Sequence, residues 1–87
     1  MSYQAMVPTI GNDLAEELDD ELRRAIIKHG RMNSRHEAYA VILEELDEFW
    51  DEVRAQEING ARCRHELLQV AAMALRAIKD LRLEAIP

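Results

Sequence analysis

Residues 67–78, LLQVAAMALRAI, decide the fold that we predict for this chain. Ten of these twelve residues are apolar, and the two exceptions are Gln69 and Arg76. A helix that is apolar on nearly all sides must be buried on several sides. Two other short helices can hardly cover such a surface, so we expect a second copy of the chain to complete the core. The economical architecture is a homodimer whose shared core is a four-helix bundle, and two such dimers could pair into a tetramer.

Turn and cap signals before this segment predict where the third and second helices begin. Asn59, followed by a glycine, marks the break before the third helix, which we predict over residues 61–82. Ser34, followed three residues later by Glu37, is a capping-box pattern. It therefore opens a second helix, predicted over residues 35–55.

A first helix is predicted over residues 13–29. Its apolar residues recur at spacings of three and four, as one buried stripe requires. Asn12 or Asp13 is the expected N-cap, with Glu16 as the capping-box partner of Asp13. Gly30 is placed to end the helix.

The predicted organisation is one all-α domain behind a short arm. Residues 1–11 contain Pro8 and show no helical period, so we assign them to an N-terminal arm. Residues 12–87 form a single helical domain, because 87 residues leave room for only one. No segment has the two-residue period of a strand.

Composition excludes several classes of protein. The net charge of −6 argues against nucleic acid as a partner, because its backbone is also negative. Within the predicted helices, the longest stretch without a charged residue is residues 67–75, which has nine positions and is too short to cross a bilayer. The only cysteine, Cys63, cannot form an internal disulfide, and the first ten residues carry no export pattern. We therefore expect a cytoplasmic protein without membrane association.

Residues 44–52, EELDEFWDE, contain six carboxylates in nine positions and no base. Such a run is usually a solvated face, although like charges one turn apart destabilise a helix. Here Phe49 and Trp50 lie within the run, and the next helix carries Glu66 and Gln69 where its apolar segment begins. A divalent cation would offset both the repulsion and the burial of charge. Oxygen ligands of this kind suit Mg²⁺ or Mn²⁺.

These motifs resemble those of the MazG-like superfamily of all-α nucleoside triphosphate pyrophosphohydrolases. That family carries EExxE on one helix and ExxD on the next. Residues 44–48, EELDE, match the first motif, and residues 66–69, ELLQ, match the second except at its last position. The resemblance covers roughly residues 35–81 and is closest in appearance to a small subgroup from phage and bacterial genomes.

The resemblance implies Mg²⁺-dependent hydrolysis of a nucleoside triphosphate to the monophosphate and pyrophosphate. Carried over residue by residue, Glu45, Glu48 and Glu66 would be metal ligands, with Gln69 at the fourth ligand position. Glu44 would be a catalytic residue that orients water, or a further ligand. Because an amide brings no charge, metal affinity should fall at this site. The alternative is a helical dimerisation or interaction protein that keeps the fold and has lost turnover.

Three more residues are weaker candidates for contacts with a small-molecule substrate. Arg76 interrupts the apolar segment and could line the pocket. Lys79 could reach phosphates, although a surface charge is the ordinary interpretation. Trp50 could stack on a base, although its spacing on the second helix is typical of a core residue.

Overall fold

The computed structural model describes residues 9–87, and this part of the chain contains helices and no strand. The predicted all-α class is therefore confirmed, and each predicted helix ends within two residues of its observed limit. No helix in this part of the chain is both long enough and apolar enough to cross a membrane. The elements in chain order are α1 (Asn12–His29), α2 (Arg35–Val53), α3 (Gly60–Asp80) and a 3₁₀ turn (Leu83–Ala85).

The cap of α2 is the one that the sequence predicts, and at α3 the structure shows that Asn59, predicted only as a break, also caps the helix. The Ser34 hydroxyl accepts a hydrogen bond from the Glu37 amide at 3.0 Å. The Glu37 carboxylate in turn accepts one from the amide of Asn33, also at 3.0 Å. At α3, the Asn59 side chain accepts from the Arg62 amide at 3.0 Å. Both helices therefore begin with side chains that satisfy otherwise unpaired backbone donors.

The start of α1 differs from its prediction, whereas its end agrees. Gly11 is the N-cap, with φ of +72°, and no side chain caps the helix. The helix thus begins one residue early, and Asn12 and Asp13 already lie inside it, where they cannot act as the N-cap. The predicted cap at these two residues, and its capping box, are wrong. At the other end Gly30 takes φ of +70°, which favours glycine, and its amide donates to the Ile26 carbonyl at 3.0 Å.

The central element is α3, which packs against both α1 and α2, whereas α1 and α2 do not pack on each other. This arrangement leaves a cleft between α1 and α2 with α3 at its base. The buried core is made of small and flexible side chains, and it joins all three helices and the loop after α1. Its members are Ala25, Met32, Ala38, Ala72, Met73 and Ala77.

The single chain leaves one side of its apolar surface uncovered. Large apolar side chains form an exposed stripe along α2, and Trp50, whose spacing is typical of a core residue, is 56% exposed. One side of α3 is also partly open, although Ala72 and Met73 on its other side are buried. The exposed apolar stripe of α2 consists of Tyr39, Leu43, Leu46, Trp50 and Val53.

Arg76 is a buried arginine that fastens the end of α3 to the loop between α1 and α2. It is only 2% exposed, and its guanidinium donates to the Gly30 carbonyl. Its Nε atom lies 3.4 Å from the carboxylate of Asp80, which itself accepts from the Met32 amide at 2.9 Å. The Arg31 side chain also donates to the Asp80 carbonyl, at 2.7 and 3.0 Å. The charge that interrupts the apolar segment therefore has a structural partner.

Candidate metal centre

Three carboxylates converge along the wall of the cleft that α2 and the adjoining face of α3 form. Glu45 and Glu48 lie one turn apart on α2, so they share one face of that helix. The short connection after α2 returns the chain alongside it, which brings Glu66 of α3 opposite this pair. Carboxylate oxygens of the three residues lie within 4.8 Å of one another. We call these three residues the acidic triad.

The acidic triad is a place where like charges meet in a partly desolvated environment. Burial, and then the neighbouring charge of Glu48, raise the pKa of Glu45 to about 7. The same two causes, in the same order, raise the pKa of Glu66. One oxygen of Glu66, Oε2, is buried and has no hydrogen-bond partner within the described chain. An unpaired buried carboxylate oxygen is costly and is rare in folded proteins.

The cleft above the acidic triad has a volume of about 490 Å³ and is open to solvent. Glu44 lines it from α2, next to the triad, and its side chain is exposed. Met73 lines it from α3. The volume lies within the range of roughly 300 to 1,000 Å³ that is usual for small-molecule sites.

Gln69 lines the same cleft, as expected, but it is engaged with α1. Its amide nitrogen donates a hydrogen bond to the carboxylate of Glu21, which also pairs with Arg24. Burial raises the pKa of Glu21, but the hydrogen bonds from Arg24 and Gln69 outweigh it, so the net pKa is lowered. Glu21 is therefore a charged carboxylate in the cleft that the sequence analysis missed.

Sequence reasoning also missed the basic residues of the cleft. Arg24, Lys28 and His29 line it from α1, on the side opposite α2. Glu21, Arg24 and Lys28 follow one another at helical spacings of three and four and form a polar stripe. The stripe lies beside the buried Leu22 and Ala25. That spacing was visible in the sequence, but only the packing of α1 against α3 brings the stripe to the acidic triad.

The three residues that were predicted as weak substrate contacts do not line this cleft. Arg76 is buried and committed to Gly30 and Asp80, because a charge inside an apolar segment needs a partner. Lys79 and Trp50 are exposed elsewhere on α3 and α2. The structure thus brings together the predicted ligands and Glu44, but not these three.

The residues of the acidic triad fit a hard divalent cation. All three supply carboxylate oxygen, the ligand type that Mg²⁺ and Mn²⁺ prefer, and the buried Oε2 atom of Glu66 accepts no hydrogen bond from residues 9–87. Fold and site thus define an all-helical chain with a carboxylate cluster between two adjacent helices. No family model, curated protein or solved structure matches the chain, so its relationship to the MazG-like superfamily stays a prediction.

Proposed function

We propose that this protein is a Mg²⁺- or Mn²⁺-dependent nucleoside triphosphate pyrophosphohydrolase of the MazG-like type. The observation that carries the proposal is the convergence of Glu45, Glu48 and Glu66. The Oε2 atom of Glu66 is buried and has no hydrogen-bond partner among residues 9–87. The expected reaction is hydrolysis of a nucleoside triphosphate to the monophosphate and pyrophosphate. An open cleft of suitable volume above the carboxylates supports a substrate of this size.

In this mechanism Glu45, Glu48 and Glu66 would hold the cation, and the exposed Glu44 acts on water in the same cleft. A bound divalent cation would supply positive charge against the phosphates and make water a better nucleophile. Glu44 orients a water molecule towards the α-phosphorus and accepts its proton. The oxygen of that water forms the new bond to the α-phosphorus, while the bond from this atom to the bridging oxygen breaks. Pyrophosphate leaves with the bridging oxygen and its electron pair.

The test compares variants of the acidic triad with a matched acidic residue outside the cleft. Glu48→Gln and Glu66→Gln should abolish pyrophosphate release from nucleoside triphosphates without unfolding the protein. Asp47→Asn is the control, because Asp47 lies on the same helix but is exposed and does not line the cleft. Calorimetry with Mg²⁺ and Mn²⁺ measures metal binding directly. Metal binding that is unchanged by Glu48→Gln and Glu66→Gln would contradict the assignment.

The proposed acting unit is a homodimer. Support comes from the exposed apolar stripe of α2, since an exposed patch of this kind is typical of an interaction surface. Sedimentation should give at least twice the chain mass at micromolar concentration. Leu46→Glu should yield a monomer, whereas Ile27→Glu, which changes an exposed isoleucine of α1 outside the stripe, should not. A folded wild-type monomer would contradict the proposal.

A catalytically inactive interaction protein is the second candidate function. The observation that favours it is Gln69, whose amide donates to Glu21 at the position where the resembling motif has a fourth carboxylate. In this case the exposed apolar stripe of α2 would be the functional surface. The two candidates differ in one measurement, because the inactive protein should show no melting-temperature increase with Mg²⁺ or Mn²⁺.

A further inference from the structure

The cleft has two walls of opposite charge. The acidic triad forms one wall, and the other is the polar stripe of α1 that ends in the last turn of that helix. Arg24 and Lys28 lie four residues apart on this stripe, so their side chains are neighbours on one helix face. Arg24 is held by the carboxylate of Glu21, which also accepts the hydrogen bond from Gln69.

Lys28 differs from Arg23, another basic residue of α1, in the groups that it contacts. Arg23 points away from the cleft and lies 3.6 and 3.8 Å from the carboxylates of Asp19 and Asp20. Lys28 makes no ion pair with a carboxylate among residues 9–87. A cation at the C-terminal end of a helix stabilises the helix dipole, and Lys28 lies in the last turn of α1. That role requires no particular side of the helix, whereas Lys28 faces the acidic wall.

The formal charge of the cleft determines what can bind there. Five carboxylates and two permanent cations are among its lining residues, which gives a formal charge of −3 when every carboxylate is ionised and the histidines are neutral. An anion is therefore repelled from the cleft of the metal-free protein. One or two divalent cations on the acidic wall would bring the charge close to zero or make it slightly positive. The five carboxylates are Glu21, Glu44, Glu45, Glu48 and Glu66.

We infer that Arg24 and Lys28 of α1 bind the phosphate groups of a polyphosphate ligand, in a cleft that accepts this ligand only after the acidic triad has bound a divalent cation. This inference rests on the proposed function for the metal, and it adds the residues and the order of binding. Arg24 and Lys28 would contact the ligand's phosphates from the wall opposite the acidic triad, which would hold the cation. Arg24 offers a planar set of donors that matches phosphate oxygens, and Lys28 offers a point charge. Glu21 acts as a positioning residue for Arg24.

The experiment uses a base-free probe, methylenediphosphonate, so that base preference cannot obscure the result. Calorimetry is performed on the full chain with Mg²⁺ in excess over both protein and probe, and again in a chelator. Wild type should bind the probe with Mg²⁺ and show no binding without it. Lys28→Gln should weaken probe binding about tenfold, as expected for the loss of one charge-assisted contact. Arg23→Gln, which removes the same charge from the same helix, should leave binding within about twofold of wild type.

Metal binding in the absence of the probe separates this inference from the proposed function. Calorimetry with Mn²⁺ alone should show that Lys28→Gln binds the metal at least as tightly as wild type. If Mn²⁺ binds but the probe does not, or if Lys28→Gln binds the probe as well as Arg23→Gln does, the inference is wrong and the metal centre stands. If wild type does not bind Mn²⁺, the proposed function fails, and metal-dependent binding of the probe fails with it. Equal melting temperatures of Lys28→Gln and Arg23→Gln confirm that folding is not the cause.

Discussion

The two ends of α3 treat charge in opposite ways. Near its end, the buried guanidinium of Arg76 meets the carboxylate of Asp80 and the carbonyl of Gly30. Near its start, Glu66 lies close to the carboxylates of Glu45 and Glu48. Glu66 forms no ion pair with a basic side chain among residues 9–87. The first arrangement neutralises a buried charge, whereas the second accumulates one. Loss of one partner of a buried ion pair destabilises the fold. A cluster of like charges becomes favourable only when a ligand binds to it.

The difference also separates structure from function along a single helix. The Arg76–Asp80 pair holds the loop after α1 in place, since Asp80 accepts from the Met32 amide and Met32 is fully buried. The acidic triad holds nothing together, because its members repel each other. We therefore expect substitutions at the two ends to change stability in opposite directions.

The largest expected effect is the loss of the Arg76–Asp80 pair. Arg76→Met removes the buried guanidinium that pairs with the half-buried Asp80 carboxylate and donates to the Gly30 carbonyl. The free energy of unfolding should fall by about 3 kcal/mol or more. For a chain of this size that is a large part of the total, which is on the order of 4 to 13 kcal/mol. Urea denaturation measures it, with Arg62→Met on the exposed surface of α3 as the control. Equal midpoints for the two variants would refute a structural role.

A divalent cation should act on the other end of α3 and stabilise the protein. Binding to the folded state alone raises the free energy of unfolding by about 2.7 kcal/mol at one hundred times the Kd. Removal of Mg²⁺ by a chelator should therefore lower the melting temperature of wild type and of Asp47→Asn. Glu66→Gln should show little change in the same scan. An identical response of Glu66→Gln and wild type would place the cation elsewhere.

The stability of the metal-free protein should depend on pH with an unusual sign. The pKa of Glu45 is about 7 in the folded protein, against an ordinary value of 4.5, so the folded state binds more protons between these values. This contribution is fully present below pH 4.5 and is lost as the pH rises through 7. The raised pKa of Glu66 acts in the same direction. The loss from pH 5 to 8 should be about 1 kcal/mol, because partial exposure screens the interaction.

Urea denaturation at pH 5 and pH 8 in a chelator checks this expectation. Glu48→Gln removes the neighbouring charge, so it should raise stability at pH 8 and reduce the difference between the two pH values. Asp47→Asn should retain the wild-type difference, since Asp47 is exposed on the same helix. A wild-type protein that is more stable at pH 8 than at pH 5 would contradict the repulsion assigned to the triad.

The smallest expected effect is at Gln69. Gln69→Asp adds a carboxylate to the cleft and should tighten Mg²⁺ and Mn²⁺ binding, and raise any pyrophosphate release. The same change removes the donor to Glu21 and sets two like charges together. The gain in affinity should therefore stay below about fourfold, or about 0.8 kcal/mol. Calorimetry on Gln69→Asp and on the double variant with Glu21→Gln checks this, because the second change relieves the new repulsion. A weaker metal affinity in both variants would show that position 69 does not face the cation.

Local signals account for most of what could be predicted about the fold. The limits of α2 and α3 follow from Ser34 and Asn59, because a cap depends only on residues within one turn. The start of α1 could not be predicted in this way, since the backbone of Gly11 takes a conformation that moves the helix start by one residue. The exposed side of α2 was also not predictable, because apolar spacing does not say which other element covers it.

Some site residues could likewise be predicted from local signals, whereas others depend on how the helices pack. The convergence of Glu45, Glu48 and Glu66 was predictable, because they lie on two helices that are adjacent in the chain and joined by a short connection. Arg24 and Lys28 come from a helix that reaches the site only by packing on α3. Arg76 was misassigned as a possible pocket residue, since a charge in an apolar segment reads the same whether it faces a ligand or a buried partner.

The sequence by itself determined three helices, two of their caps and a carboxylate cluster, because helical period, capping and one-turn spacing act over a few residues. Only the tertiary structure decided that Arg76 donates to the Gly30 carbonyl, that Gln69 donates to Glu21 and that the polar stripe of α1 faces the acidic triad. Each of these contacts joins groups that are distant in the sequence, so their approach depends on how whole helices pack. The direction of a helix face is set by burial of its apolar stripe, and that is a property of the assembled core.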